Sequence, residues 1–599
     1  MKLRKIYTSA GILLLSLFCI GDAVAKDAKF ETGVSFGSTG ADEPYSSLTD
    51  KDGNYYISGV CRGDVEFAGG ATIKGRGGMD AVIVKYDAEL NFLWARVVGG
   101  SKDDTFERIA VTSAGDIVAV GKISGDVTID GTDQTLSGTQ STDGCIVVYD
   151  KDGNYKSSAQ IKAAGASLCY SVAVDKSGNI FVTGSTVGAT DFGNEKTVTI
   201  EGSSPGTFLA CYNNSLVCQW AIAGSSPVQS YGWAVNFDKE ENILLTGRFG
   251  TTFTITGTDG EALTTAVGSE SSQDTYVAKL SHEGVGQWIT YVTNSNRIDT
   301  RSIDSDSQGN VYIWGHCQSA VTPEGQSPLG FNGNFDSFLI KYSSAGAYLD
   351  GMNLGGSGRD EAKSLFVDAD DNIYVAGNVN GDGSKGGTAV NMNPRGESKD
   401  YTFKGHDGYV AKYNGSTWEL MQLEKTVTPD NANQHEVAWC VTMSPDYNKV
   451  YVTGYFNNGA TVFDGASLTL PFVRDYDIYT VLYSYTLMVK TKTLEPGVAN
   501  EPYYSNIVVD NVEGAVKFEI VSGALPDGIT LSKDGAFAGT PTKNGSYTFI
   551  VKISDDVSSI QKEYTLVIKS GEGCDVFIVT DQCPDAYIGY PYSLQLEIE

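Results

Sequence analysis

An all-β chain is predicted by this sequence of 599 residues: a seven-bladed β-propeller followed by an immunoglobulin-like β-sandwich. Three observations carry the prediction: a short strand ending in glycine recurs seven times, a second strand pattern follows each copy, and the rhythm changes after Leu487. The first motif reads Tyr55-Tyr56-Ile57-Ser58-Gly59 and Ile180-Phe181-Val182-Thr183-Gly184, with further copies ending at Gly121, Gly247, Gly315, Gly377 and Gly454. These glycines are 62, 63, 63, 68, 62 and 77 residues apart. Turn sequences such as Asp175-Lys176-Ser177-Gly178-Asn179 precede most copies, with Gly and Asn supplying positive φ. The second pattern runs from Asp80 to Tyr86, Asp143 to Tyr149, Asp274 to Leu280, Asp336 to Tyr342, Asp407 to Tyr413 and Asp477 to Tyr483, with Gly206 to Tyr212 a weaker copy. Trp94, Trp220 and Trp288 stand eight residues beyond three of them, where the chain enters a further strand. Four short strands per ~60-residue unit, without a helical period, is the arithmetic of propeller blades. A solenoid is disfavoured because its units are shorter and its ends need caps.

Composition narrows the function. Hydrophobic residues at 41% and aromatics at 11% exceed what a disordered chain carries, and 70 glycines against 15 prolines without a three-residue period are turn punctuation. The formal net charge of -30 repels phosphate backbones and anionic membrane surfaces, which argues against nucleic-acid binding.

Taken in chain order, residues 1–25 read as a signal peptide. Lys2, Arg4 and Lys5 open it, Gly11 to Ile20 is apolar but too short to span a bilayer, and Ala23-Val24-Ala25 suits cleavage after Ala25. Cys19 after the bulky Phe18 fits a lipoprotein signal poorly. The protein is therefore expected to be exported, at the cell surface, outside the cell or in a periplasm. No later segment is apolar and long enough to be a transmembrane helix. Residues 26–487 form the propeller. Val34 to Asp42 resembles Val97 to Asp104, the end of a repeat, whereas the seventh repeat lacks that strand, so Phe30 to Phe36 is expected to complete the last blade. Residues 488–570 form the sandwich, with alternating strands between Gly/Pro turns such as Leu525-Pro526-Asp527-Gly528 and Gly539-Thr540-Pro541. Residues 571–599 read as an incomplete second module, because Gly589-Tyr590-Pro591-Tyr592 echoes Asn500-Glu501-Pro502-Tyr503; a truncated chain is expected.

The D-x-x-G-N-I-Y-V-T-G and D-x-F-V-A-K-Y motifs with a downstream Trp resemble the bacterial SBBP seven-bladed β-propeller repeat over about residues 29 to 487. Blade three departs from it, with Gly206 and Cys211 where Asp and Lys are usual, and blade seven is longer. The L-P-x-G and G-T-P spacing is similar to the cadherin-like immunoglobulin modules of bacterial surface proteins. The resemblance implies a secreted or surface protein.

Few residues point to catalysis. Removing Cys19 from the ten cysteines leaves an odd number; Cys211 with Cys218, or Cys574 with Cys583, could oxidise, and buried free thiols are equally open. His282, His316, His406 and His435 fall in different repeats with no shared register, which disfavours a His-based triad or metal site. Most acids sit in hairpin turns, and Asp50-Lys51-Asp52-Gly53-Asn54 reads as a turn, since it lacks the closing Glu and helices of an EF-hand. No motif requires a cofactor. Calcium is the one candidate, through the cadherin-like resemblance of Asp510, Glu513, Asp555 and Asp556.

One column is more informative. Fourteen residues before the motif glycines stand Tyr45, Glu107, Tyr170, Trp233, Arg301 and Lys363, and one extra turn residue in the last blade gives Trp439. If that strand is innermost, these side chains converge on the axis, where aromatic platforms beside charged donors suit sugar rings; packing between blades is the plainer reading. The expected function is therefore a non-catalytic binding or adhesion protein, acting as a monomer, whose partner is a glycan or surface glycoprotein. The alternatives are a carbohydrate-active hydrolase or lyase with axial carboxylates and a structural scaffold for protein assembly.

Overall fold

The computed structural model describes residues 28–570, apart from 68–69, 267–272, 381–387, 399, 404–405, 428–434, 458–461, 464–475, 486, 490, 492, 511, 513 and 557–558. Residues 1–25, expected to be a signal peptide, residues 571–599, expected to be an incomplete second module, and Cys574 and Cys583 lie outside the described residues. Those described form strands and turns with no helix, so none is long and apolar enough to cross a membrane.

The fold is a β-propeller joined to an immunoglobulin-like sandwich. Seven four-stranded antiparallel sheets follow one another along the chain. In the fourth, Ser230–Phe237, Ile243–Phe249, Asp274–Leu280 and Gly286–Thr293 run from the inside outwards. The corresponding inner strands of the others are Glu43–Thr49, Thr105–Val111, Ser167–Val174, Ile298–Ser305, Glu361–Val367 and Glu436–Met443. Each inner strand touches the next, and Glu436–Met443 touches Glu43–Thr49, which closes a ring. The hairpin excursion of a blade also reaches back: Thr252–Thr256 pairs with Cys218–Ser225 of the blade before it.

Both faces of each blade are covered by neighbours, so the middle strands read as continuous apolar runs without alternation. Tyr55–Cys61 and Asp80–Tyr86 are buried at every position. The hydrophobic cores lie between blades. Tyr56 and Ile83 of blade one pack with Ile109, Ile117 and Val147 of blade two. The outer-strand tryptophans extend these seams: Trp94 Nε1 donates to the Lys151 carbonyl and Trp288 Nε1 to that of Ser344, each on the turn of the next blade.

The turn motif has a structural cause. Asp306 Oδ1 accepts from the amides of Gln308 and Asn310, and Oδ2 from the Asn310 side chain; Asp175, Asp238 and Asp368 hold their turns in the same manner. The motif lysine of the third strand compensates the buried acid: Lys341 Nζ is 3.0 Å from Asp306 and Lys279 Nζ 2.6 Å from Asp238. Where the acid is absent the lysine is absent too. Blade two has Thr112 with Val148, and blade seven has Ser444 with Leu482. Blade three keeps Asp175 but has Cys211 at the lysine position, and His282 of blade four takes its place at 2.7 Å. Removing one member of a buried ion pair leaves an uncompensated charge, which explains this paired variation.

Cys211 and Cys218 are buried free thiols, the second of the two readings left open by the sequence. Cys211 packs on the side of blade three that faces blade four, and Cys218 on the side that faces blade two. Side chains on opposite faces of a sheet cannot meet disulfide geometry.

Lys29–Phe36 pairs antiparallel with Asp477–Ser484, from Lys29 opposite Ser484 to Phe36 opposite Ile478, as the outermost strand of blade seven. Phe30 meets Tyr483 edge to face at 6.1 Å. The sandwich follows, with Gly497–Val498, Ser559–Lys569, Gly545–Ser554 and Lys517–Gly523 in one sheet and Tyr503–Asn506, Ala536–Gly539 and Ile529–Leu531 in the other. Phe537, Phe549, Val551 and Leu566 form its core. Of the acids considered for calcium, Glu513 and the Asp510 side chain lie outside the described residues. No cluster of three His, Cys, Asp or Glu suited to a metal occurs among the described residues.

Three buried acids clamp blade tops. Asp42 accepts from Ser38 Oγ at 2.8 Å and the Arg62 amide at 3.0 Å, Asp104 from the amides of Gly100 and Ser124, and Asp360 from those of Gly356 and Asn380. Burial raises Asp42 and Asp104 to about 6 and Asp360 to about 7, against the pull of these donors.

Two measurements check this account. Deleting residues 28–36 should lower the melting temperature by at least ~5 °C, because an edge strand is bared; an unchanged melt would refute the closure. A carboxyl raised from 3.8 to about 7 takes up a proton on folding, so its contribution is complete below 3.8 and is lost as pH rises through about 7. Asp360→Asn does not titrate, so melts of both proteins should show the variant's deficit larger at pH 5 than at pH 8.

Candidate functional site

The seven motif glycines determine where the column residues point. In every blade the pairing of inner and second strand slips by one residue, leaving a β-bulge. The unpaired residue is Tyr45, Glu107, Tyr170, Trp233, Arg301, Lys363 or Trp439 in turn. The glycine opposite is obligatory. A Cβ on Gly184 would lie 1.8 Å from the Leu168 carbonyl oxygen, one on Gly247 1.8 Å from that of Tyr231, and one on Gly454 1.8 Å from that of Val437. A bulge breaks the pleat and re-aims its extra side chain. In blade seven the count is fifteen rather than fourteen because the turn closes from Ser444 to Lys449, one residue longer than Asp50 to Asn54.

All seven column residues line one cavity of about 260 Å³, to which every blade contributes, together with Glu43, Arg108, Ser364 and Cys440. Its wall changes character around the ring. Blades one and two present Glu43 and Glu107, blades five and six Arg301 and Lys363, with aromatic residues between. Tyr170 and Trp233 lie 4.4 Å apart, centroid to centroid, and Tyr45 and Trp439 5.7 Å apart. Arg301 sits 5.5 Å from the centre of Trp233 and Lys363 4.1 Å from that of Trp439, both within cation–π range. The four aromatic side chains are half-buried, so each packs on a neighbour and keeps a part open to the cavity.

Some of the charges are already matched. Lys363 Nζ lies 2.7 Å from Glu361, which Arg359 also holds at 2.5 Å. Burial would raise Glu361, but Lys363, His316 and Arg359 hold it well below its ordinary value. Asp299 is bound by Arg248 at 3.0 Å and Arg297 at 2.7 Å, and these cations with Arg301 keep it depressed in spite of its burial. Glu107 accepts only from Thr105 Oγ1, at 2.8 Å, among the hydrogen bonds of the described residues, and burial raises it. Tyr45 donates to Glu43 at 3.4 Å.

Arg108 was not among the sequence candidates. It follows the bulge residue, where the other blades have Ser46, Ser171, Ala234, Ser302, Ser364 and Cys440. Small side chains there let neighbouring inner strands bond directly, as where the Val235 amide donates to Ser171 Oγ. Arg108 instead crosses the axis from blade two to blade five, where Nη2 makes a long 3.5 Å hydrogen bond to the Arg301 carbonyl. The signal was one arginine in a register of small residues. The structure also brings together His406 and His435, 4.0 Å apart at the seam of blades six and seven, and burial lowers both from their ordinary values.

Comparison with known proteins bears on the architecture. Residues 158–193 match the "Beta-propeller repeat" (SBBP) model and residues 480–569 the "Putative Ig domain" model. The SBBP resemblance holds, and so does the immunoglobulin one. The SBBP match spans blade-three residues such as Ser167–Val174, and the Ig match begins within Asp477–Ser484 of the last blade. An uncharacterized WD repeat-containing protein of Acanthamoeba polyphaga mimivirus is 21% identical over 435 residues, 59% of this chain and 31% of that protein. The chain thus spans about a third of that curated relative. Among solved structures, the periplasmic gluconolactonase of Pseudomonas aeruginosa is 10% identical, with a TM-score of 0.33 over 71% of this chain and 98% of that one. A DUF4221-family member from Bacteroides vulgatus is 9% identical, with a TM-score of 0.27 over 59% of this chain and 93% of that one.

The glycine requirement is testable away from any ligand. Gly247→Ala should lower stability by ~3 kcal/mol or more and change the near-ultraviolet circular dichroism of the Trp233 environment, because the carbonyl of Tyr231 must move. A variant that melts and absorbs like the parent would remove the bulge from the account.

Proposed function

We propose that the chain is an exported binding or adhesion protein that recognises glycan, free or on a surface glycoprotein, in the axial cavity of its propeller, with the sandwich as a spacer. One observation carries the reading: seven bulges deliver aromatic and charged side chains from seven blades to one cavity. Half-buried aromatic rings offer faces to the C–H surface of a sugar, and Glu43, Glu107, Arg301 and Lys363 offer partners for hydroxyl groups around its edge. A plugged apolar axis would have favoured a scaffold; this lining is polar and charged.

The presence of Glu43 and Glu107 in the same cavity favours a glycoside hydrolase or lyase as the second reading, since paired carboxylates are the usual requirement for such chemistry. Binding is preferred because Glu43 is engaged by Tyr45 and no motif of a catalytic family accompanies the pair.

A glycan array followed by calorimetry on the best ligand tests the proposal. Trp233→Ala with Trp439→Ala should weaken binding ~10-fold or more while the melting temperature stays within a few degrees, and wild type should release no products from the same glycans. Equal affinity in the double variant would remove the column's role, and product release abolished by Glu107→Gln would establish the enzymatic reading instead.

A further inference from the structure

The axial cavity contains two guanidinium groups, those of Arg108 and Arg301, that form no ion pair among the described residues. Arg108 bonds only the Arg301 carbonyl, and Arg301 makes no side-chain hydrogen bond or ion pair among the described residues. The nearby acids make their direct contacts elsewhere: Asp299 pairs with Arg248 and Arg297, Glu361 with Arg359 and Lys363, and Glu107 with the Thr105 hydroxyl, so Asp299 and Glu107 act on the two guanidinium groups only at longer range. Nε of both arginines is buried without a partner, as is Nε1 of Trp233. The two guanidinium groups come from opposite sides of the ring, blades two and five, and lie close enough to repel each other; burial also disfavours the charged form of Arg108.

Such an arrangement is unfavourable in the empty protein. A guanidinium group partly withdrawn from water and without a direct ion pair loses solvation that neutral hydroxyl groups restore only in part. A planar carboxylate restores it best, because the guanidinium fork matches its two oxygens. The wall opposite blades five and six carries Glu43 and Glu107, which accept from hydroxyl groups and repel a second anion. The aromatic residues stand between the two walls.

We propose that the site selects a uronic-acid residue, its carboxylate on Arg301 and Arg108, its ring against Tyr170 and Trp233, and its hydroxyl groups toward Glu107 and Glu43. This deepens the glycan reading above and rests on it. A carboxylate on the ring supplies one negative charge in one direction, which suits the place where Arg108, crossing the axis, meets Arg301.

The test uses the full exported chain in calorimetry at low and at physiological salt. The probes are trimers of galacturonic acid, guluronic acid and glucuronic acid, each beside its neutral hexose counterpart. At least one uronate should bind ~10-fold more tightly than its counterpart, and the gap should narrow as salt rises. Arg301→Gln should bring the pair within ~3-fold, whereas Arg301→Lys should keep part of the preference. The lysine variant, with a melting curve for each protein, separates loss of charge from loss of fold. Equal binding of acidic and neutral trimers, or a preference that survives in Arg301→Gln, overturns acid selection and leaves the glycan reading standing. Failure of every trimer, acidic and neutral, overturns both.

Discussion

In each blade a backbone carbonyl lies against a glycine that has no side chain to meet it, and the rest of the propeller's functional geometry follows from this contact. Where the second strand gives up a side chain, the inner strand can press toward it, slip by one residue and turn that residue out of the pleat. Without the slip, the column would stay in the alternation of the strand and its aromatic rings would enter the seams between blades, where the hydrophobic cores already leave no room. The glycines are therefore as much a part of the axial cavity as the residues that line it, although none is a ligand candidate.

Much of this was legible in the sequence because the hairpin that joins inner to second strand has constant length. A fixed turn converts a sequence offset of fourteen into a fixed spatial offset, and the one longer turn, at Ser444 to Lys449, was visible as an extra residue. Arg108 was not legible from the column alone. Strand alternation assigns successive residues to opposite sides, whereas a bulge lets Glu107 and Arg108 both reach the axis. Glu43 lies two residues before Tyr45, on the side that alternation itself allows, and escaped because the column took one position per blade. The meeting of His406 and His435 depends on how two blades abut, which no offset within one repeat encodes. Cys211 and Cys218 show the converse: closeness along the chain suggested a bond that the two faces of a sheet forbid.

The acidity of the chain also has a local explanation. Many carboxylates are the hydrogen-bond acceptors that hold turns and blade tops, and where one is buried in a seam a lysine or histidine from the same or the next blade stands opposite. The acid and its partner appear and disappear together from blade to blade. Charge at the axis obeys a different rule: Arg108 and Arg301 form no direct ion pair among the described residues, in contrast to the paired acids of the turns.

The strand that completes blade seven also fixes the order in which the ring can assemble. Lys29–Phe36 is made before any blade, yet its partner, Asp477–Ser484, is made after almost the whole propeller. Six blades can form from contacts within a hundred residues or so, but the seventh requires the two ends of the ring to meet, a contact of high sequence separation and correspondingly slow formation. During synthesis the growing chain must therefore hold an unpaired strand in reserve. A nascent chain interrupted before residue 477 has no partner for it, so the last pairing event distinguishes a complete ring from an incomplete one.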